Sequence, residues 1–267
     1  MTCPNATALD ERQGSDTMSS AASDSAITQD DHGATRGCLH PLVREFLDVR
    51  HADCMEVMAT FPDKHFDLAI VDPPYGNESD ATKTHESNSV NRAADRVAYK
   101  QFAQVVPGPE YFAELARVAR KWIIWGGNFF PVTGGVIAWD KNGTAFGEGE
   151  IAVCNTHNSV RFFEHTWNGM IQQDMANKER RIHPTQKPVA LYNWLLANYA
   201  KPGYRILDTH LGSGSHAIAC HYARLHLTAC EIDADYFREA CGRITRETAQ
   251  DTFDFPNDEM TSTHQKH

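Results

Sequence analysis

From about residue 37 to residue 249, short apolar runs alternate with helical ones, and no other feature of the sequence limits its folds so tightly. FDLAIVD (66–72), KWIIWGG (121–127), GGVIAWD (134–140), EIAVCNT (150–156), YRILDTH (204–210) and HLTACEID (226–233) have strand length and β-type composition. PEYFAELARVARK (109–121), PVALYNWLLANYA (188–200), SHAIACHYAR (215–224) and DYFREACGRIT (235–245) read as helical. Several of the strands are apolar throughout, as suits parallel strands covered by helices on both faces. The expectation is an α/β layered fold around a mostly parallel central sheet. Two polar interruptions, about 77–106 and 165–182, hold too few apolar residues for cores of their own. Residues 1–36 and 250–267 are equally poor in large apolar side chains and read as a disordered N-terminal tail and a flexible C-terminal tail. At 267 residues this leaves one domain, 37–249, between two tails.

The formal net charge of −10 argues at first against a polyanionic partner. Its distribution weakens that argument. Residues 1–36 hold six acids against two bases and 250–267 four against one, which leaves the body close to −3. Within the body, NKERRIHPTQK (177–187) gathers Lys178, Arg180, Arg181 and Lys187 around one acid, a small basic patch able to face phosphates. No apolar run approaches the roughly 18 residues a bilayer span requires. The first residues, MTCPNATALDERQGSDTMSS, lack the basic start and apolar stretch of an export signal, so a cytoplasmic protein outside the membrane is expected. The seven cysteines are odd in number and include no C-x-x-C pair; reduced, mostly buried thiols are expected, and no metal site.

RILDTHLGSGSHAIAC (205–220) is an apolar strand, a glycine loop and an apolar helix in succession. Gly212 and Gly214 allow a tight turn and a close backbone approach, and the first amides of the helix face whatever lodges there. The next strand ends at Glu231, 17 residues after Gly214, where an acid binds the ribose diol of adenosine cofactors in this architecture. Loop and acid together predict such a cofactor, although Gly212-x-Gly214-x-x-Ala217 also fits a nicotinamide fingerprint. DLAIVDPPYG (67–76) decides between them. Its strand ends at Asp72, at the edge where parallel strands open onto a ligand crevice, in two prolines that have no N–H for the ladder. Pro73 and Pro74 hold a rigid turn with free carbonyl acceptors, from which Asp72 and Tyr75 project. A carboxylate, a carbonyl and an aromatic face at one point suit an amino group on a planar heteroaromatic ring: two acceptors for two N–H bonds, and a stacking surface. Hydride transfer has no use for that set.

Asp72-Pro73-Pro74-Tyr75, HPTQKP (183–188) and DTHLGSGS (208–215), in this order, resemble the S-adenosylmethionine-dependent amino-methyltransferases of DNA, in particular their β group, in which the tetrapeptide precedes the cofactor loop. The resemblance runs from about Asp48 to Arg243, and IIWGGN with the short interruptions is further similar to small adenine methyltransferases of phages and prophages. It implies a single Rossmann-like methyltransferase domain, circularly permuted in motif order, with 77–106 and 165–182 as inserted DNA-recognition regions. It also implies S-adenosyl-L-methionine as cofactor. Asp53 would contact the cofactor's adenine with Cys54 beside it, and Glu231 the ribose. Gly212, Ser213 and Gly214, in the motif from Asp208 to Ser215, would surround the methionine moiety, with Asp72 at its border and His183, Thr185 and Lys187 closing over it. His210 stands where the family often has phenylalanine; it is expected to be neutral, since a charge is unwelcome beside a sulfonium.

The reaction so implied is methyl transfer to the exocyclic nitrogen of a base swung out of double-stranded DNA, with no covalent enzyme intermediate. Asp72, Pro73, Pro74 and Tyr75 are the expected catalytic residues: hydrogen bonds from the amino group to Asp72 and the Pro73 carbonyl favour a pyramidal nitrogen, and Tyr75 stacks on the base. D-P-P-Y is the form usual in adenine-N6 enzymes, whereas serine usually leads in cytosine-N4 enzymes. Adenine is therefore expected, with cytosine N4 as the alternative. Methylation of RNA or a protein amide, and an inactive DNA-binding relative, are also open. Lys83, Arg92, Arg96, Lys100, Lys178, Arg180 and Arg181 are the candidate DNA contacts, on a monomer or a homodimer.

Overall fold

The computed structural model of the chain describes residues 28–29, 35–36, 39, 43–76, 106–143, 147–168 and 170–249. The two expected tails and the 77–106 interruption lie almost wholly outside the described residues, and Lys83, Arg92, Arg96 and Lys100 lie outside them entirely. The elements in chain order are β1 (Thr28–Gln29), β2 (Thr35–Arg36), β3 (Leu47–His51), α1 (Cys54–Ala59), β4 (Phe66–Val71), α2 (Pro109–Val118), β5 (Ala119–Trp125), β6 (Gly135–Asp140), β7 (Gly149–Cys154), β8 (Val160–Glu164), α3 (Val189–Tyr199), β9 (Arg205–Asp208), α4 (Ser215–Tyr222), β10 (His226–Glu231) and α5 (Ala234–Thr248).

All ten strands join one sheet in the order β1-β2-β3-β10-β9-β4-β5-β7-β6-β8. Its centre, β3-β10-β9-β4-β5, is parallel throughout. β7 runs antiparallel to both β5 and β6, and β8 parallel to β6. The sheet is therefore mixed, with the expected parallel strands at its middle. From β9 the chain moves outward to β10, and from β4 it moves the other way to β5. The strand order reverses between these two neighbours, and a crevice opens where the carboxyl ends of such strands diverge.

Alternation along the central strands feeds two cores. Leu68, Ile70, Ile123, Trp125 and Ile206 pack with Leu191 and Leu195 of α3, Ile218 of α4 and Ile244 of α5. Ala69, Val71, Ile124 and Leu207 pack on the opposite layer with Met58 of α1 and Tyr111, Leu115 and Val118 of α2. Both faces of the parallel strands are thus covered, which is why these runs tolerate no polar alternation. At roughly 1.5–3 kcal/mol for each large side chain buried, these layers dominate the stability. No helix among the described residues is long and apolar enough to cross a membrane.

Two local expectations change. The helix expected over 109–121 stops at Val118, and Ala119 enters β5 with no intervening loop, paired to Phe66. Residues 119–121 are helix formers, but the β4 edge offers them a ladder. The thiols of Cys54, Cys154, Cys220 and Cys230 are free, as read, but Cys241 is disulfide-bonded.

Candidate active site

At the carboxyl end of β4, Asp72, Pro73, Pro74 and Tyr75 leave the sheet and line a cavity of about 560 Å³. Asp72 is paired through one oxygen only: Lys187 Nζ donates to Oδ2 at 2.6 Å, while the buried Oδ1 has no hydrogen-bond partner. Lys187 is itself 4% exposed. Its ammonium also lies 2.9 Å from Glu150 Oε2 of β7, a charge contact rather than a directed hydrogen bond. Glu150 Oε1 in turn accepts from Lys141 Nζ at 2.5 Å. Four charges of alternating sign therefore run from the turn to β7 and Lys141, with Lys187 over the Trp125 ring and Lys141 over the Trp139 ring.

The two carboxyls on this ladder differ. Burial raises the proton affinity of Asp72, and its single ammonium, Lys187, opposes that only in part. Burial pushes Glu150 the same way, but it has two ammoniums, Lys187 and Lys141, which hold it at about 2. Burial works against the charge on Lys187, but Asp72 and Glu150 outweigh it and keep the amine firmly protonated.

Tyr75 is positioned by glycine. Gly126 follows β5 at φ +66, and a Cβ there would come within 2.3 Å of the Tyr75 ring. The side chain of Phe129, 49% exposed on the turn after Gly126, lies parallel to Tyr75 with ring centres 4.9 Å apart. Nothing in the run IIWGGNFF marked Phe129 except the glycine pair that bends the chain back over the tyrosine.

The opposite wall comes from β9, β10 and the segment after β3. Glu231, at the tip of β10, accepts from the Gly212 amide through Oε2 and from the Asp233 amide through Oε1, each at 3.0 Å. Burial raises its proton affinity against those two amides. Asp53 caps α1, its Oδ1 accepting from the Met55 amide at 2.7 Å. The neighbouring Cys54 thiol is pushed up to about 12, by burial first and then by Asp53. Asp53, Cys54, His210, Gly212, Ser213 and Glu231 all line the cavity, as do His183, Thr185 and Lys187 from the loop before α3. Burial holds His210 down at about 4, so the ring is neutral at pH 7, as expected. His183 is held lower, at about 3, by burial and then by Lys187 and Arg181. With both histidines neutral, five carboxylates (Asp53, Asp72, Glu110, Glu231, Asp233) face the cavity against the one ammonium of Lys187. Such a balance favours a cationic ligand.

Three residues expected to touch the cofactor stand behind the wall. Asp208 accepts from the His210 amide through Oδ1 at 3.0 Å and meets His216 Nδ1 through Oδ2 at 2.9 Å. Both oxygens face inward, at 2% exposure, and the residue shapes the loop from below. Gly214 begins α4 at φ +78, where a Cβ would press on Ile244 at 3.0 Å. Ser215 bonds inward to Arg243. Lys187 lines the cavity but is committed to Asp72, which its motif alone did not indicate.

Arg243 of α5, 1% exposed, is a support the motifs did not reveal. Its guanidinium donates to the Ser213 carbonyl at 2.9 Å, to Ser215 Oγ at 2.8 Å and to Glu179 Oε2 at 2.7 Å. Glu179 Oε1 accepts from the Val189 amide at 3.0 Å, so one ion pair ties the glycine loop to the start of α3. A bulky polar residue recurring with the apolar face of an amphipathic helix was the available signal. Of the candidate DNA contacts within the described residues, Lys178 and Arg180 are exposed, whereas Arg181 donates to the Pro184 carbonyl and braces its own loop. No group of three or more His, Cys, Asp or Glu side chains able to hold a metal occurs among the described residues.

The family profile described as DNA methylase matches residues 131–241, which include HPTQKP, the glycine loop and Glu231. The type II methyltransferase M.HpaI of Haemophilus parainfluenzae is 34% identical over 72 residues, 27% of this chain and 23% of that protein. This chain thus spans less than a quarter of M.HpaI in that match. YubD of Escherichia coli K12, a protein named as a methylase, is 25% identical over 211 residues, 72% of this chain and 87% of that protein. The solved complex of M1.HpyAVI with SAM aligns over 74% of this chain and 98% of its own, at 19% identity and a TM-score of 0.46. The segment that matches the DNA methylase profile thus contains the glycine loop, and the proline turn is joined to that segment across β4 and β9.

Proposed function

We propose that the chain transfers a methyl group from S-adenosyl-L-methionine to the exocyclic nitrogen of a base in DNA, with adenine N6 as the target. The observation that carries this reading is Asp72 Oδ1: a buried, unpartnered acceptor beside two prolines, on the wall of an acid-lined cavity. Leaving such an acceptor unsatisfied costs about 1–3 kcal/mol, which an incoming N–H relieves. The residues present suit the cofactor: Glu231 for the ribose, Asp53 for the adenine, Gly212 and Ser213 for the methionine moiety, and an excess of carboxylates for the sulfonium. When bound, it would supply an electrophilic methyl group, the methyl–sulfur bond breaking as the nitrogen–methyl bond forms and the sulfonium leaving as a neutral thioether.

The other roles belong to the chain. Asp72 Oδ1 accepts one N–H of the target amino group and the Pro73 carbonyl the other, which draws the nitrogen lone pair out of conjugation with the ring. Tyr75 offers a stacking face to a base that has left the helix, since a paired and stacked amino group is out of reach. As the N–C bond forms, the departing N–H proton passes to Asp72 Oδ1, whose raised proton affinity suits it to that task. The exposed Lys178 and Arg180, with the segment around 77–106, are assigned to the DNA backbone and target, and residues 1–36 and 250–267 to tails.

The test is the Asp72→Ala variant with labelled cofactor and unmethylated DNA, followed by nucleoside analysis of the product. We expect N6-methyladenine from the wild type, none from the variant, and cofactor binding close to normal in both. N4-methylcytosine would move the target to cytosine, and near-normal turnover by the variant would refute the role of Asp72.

A further inference from the structure

We infer that Glu150 of β7 is a positioning residue for the reaction, acting on Asp72 through Lys187; the inference rests on the proposed methyl transfer. An ammonium facing a single buried carboxylate is free to engage both of its oxygens. Here Lys187 is drawn toward a second carboxylate on its far side, at 2.9 Å, and meets Asp72 through Oδ2 alone. Glu150 thereby keeps Asp72 Oδ1 available for the amino group.

Stability does not account for this arrangement. Taking four charges out of water carries a desolvation penalty that well-packed apolar residues avoid, and replacing buried ion pairs with such residues is often neutral or stabilising. Trp125 and Trp139 of the core already lie against the ladder's two ammoniums. What an apolar substitute could not do is hold Lys187 on one oxygen of Asp72.

The charged and titratable groups facing the ladder are few. Asp72 meets Lys187, Glu150 and, from β9, Asp208. Lys187 meets Asp72 and Glu150, with Tyr75 of the turn and Tyr192 of α3 nearby. Glu150 meets Lys187 and Lys141. Removing the Glu150 charge takes away a repulsion that raises the proton affinity of Asp72, so Asp72 should titrate at lower pH. Removing Lys187 takes away an attraction, so Asp72 should titrate at higher pH. A merely structural role for Glu150 predicts no fall in the Asp72 midpoint when only the Glu150 charge is removed; the Lys187→Met rise reports the Lys187–Asp72 pair itself.

The experiment compares wild type, Glu150→Gln, Glu150→Asp, Lys187→Met and the Glu150→Gln/Lys187→Met double variant. The Asp72 titration is followed by carbon-13 NMR of labelled aspartate, assigned by its loss in Asp72→Asn, and methyl transfer is measured as separate kcat and KM values. We expect Glu150→Gln to lower the Asp72 midpoint and reduce kcat about tenfold, a loss in line with misplacing a catalytic group, with KM for the cofactor little changed. Glu150→Asp should recover most of that loss, and Lys187→Met should raise the midpoint. In the Lys187→Met background, Glu150→Gln should change kcat less than about twofold, because residues that act through one another are not additive. Equal losses in both backgrounds, or a midpoint unmoved by Glu150→Gln, would overturn the inference; if that variant fails to fold, an Asp72 midpoint unmoved by Lys187→Met would do the same. A wild type that methylates no DNA but shows the opposite titration shifts would refute the methyl-transfer reading while leaving Glu150's control of Asp72 in place.

Discussion

Replacing Gly126 by alanine would test whether Tyr75 must lie where the structure puts it. Gly126 has φ +66 and ψ 19, a left-handed conformation that costs a residue with a Cβ about 1–2 kcal/mol. The added Cβ would also fall 2.3, 2.7 and 2.9 Å from three Tyr75 ring carbons, so the ring must move. Gly143 supplies the control: its φ is +69, but a Cβ there has nothing within 4 Å. Gly143→Ala should therefore lose only the backbone share of stability, about 1–2 kcal/mol, with normal turnover. Gly126→Ala should lose a similar amount of stability and, in addition, the stacking of the base on Tyr75. Stacking of this kind is worth roughly 1–3 kcal/mol, which lowers kcat/KM by about 5- to 150-fold. Denaturant titration reads the first quantity, and methyl incorporation at subsaturating DNA reads the second. In a Tyr75→Ala background the ring is gone, and Gly126→Ala should have little further effect on kcat/KM. Turnover in Gly126→Ala equal to that of Gly143→Ala would show that Tyr75 need not be held in this place, and the stacking role would fall with it.

Two other perturbations probe the supports. His210 and His183 are held at about 4 and about 3, below the ordinary 6.5, so the unfolded chain binds the protons that the folded chain refuses. Their contribution to stability is full above pH 6.5 and is lost as pH falls toward those values, by about 2 kcal/mol each at pH 5. His210→Phe should retain methyl transfer and remove one such loss, seen as a smaller difference between urea midpoints at pH 7 and pH 5; an unchanged difference would show the ring is not held neutral. Arg243→Met should cost about 3 kcal/mol by leaving Glu179 without its partner and should weaken cofactor binding through the Ser213 loop. Arg243→Met with Glu179→Leu should recover part of the stability and none of the binding, as measured by denaturation and equilibrium dialysis, whereas recovery of both would make the Ser213 contact dispensable.

Strands buried on both faces were legible because they carry no polar alternation: 66–72, 204–210 and 226–233 all became the central strands. Leu47–His51 and Val160–Glu164 were not read, since the first is interrupted by Asp48 and Arg50, which pair with each other, and the second lies near the sheet edge with Val160 and Phe162 exposed. The proline turn and the glycine loop were legible for a similar local reason, each being written in residues whose backbone geometry is restricted or unusually free. The meeting of Lys187 with Glu150 was not. It depends on β7 turning back between β5 and β6, and no spacing in the sequence reports which strand lies beside which. Arg243 was hidden because an arginine on a helix is ordinarily a solvated one, and only the packing of α5 against the loop reveals its partners.

The pairing of β4 with β9 joins Leu68 to Ile206, residues 138 positions apart. Closing so long a loop is paid in chain entropy before any contact repays it, and pairings of this kind form slowly. The β6–β7 hairpin, whose strands are joined by only eight residues, is free to form early. The cavity, in contrast, has no two facing walls until β9 zips against β4. Affinity for a ligand there is therefore a property acquired at the end of folding, and a refolding chain should gain secondary structure well before it gains the capacity to bind.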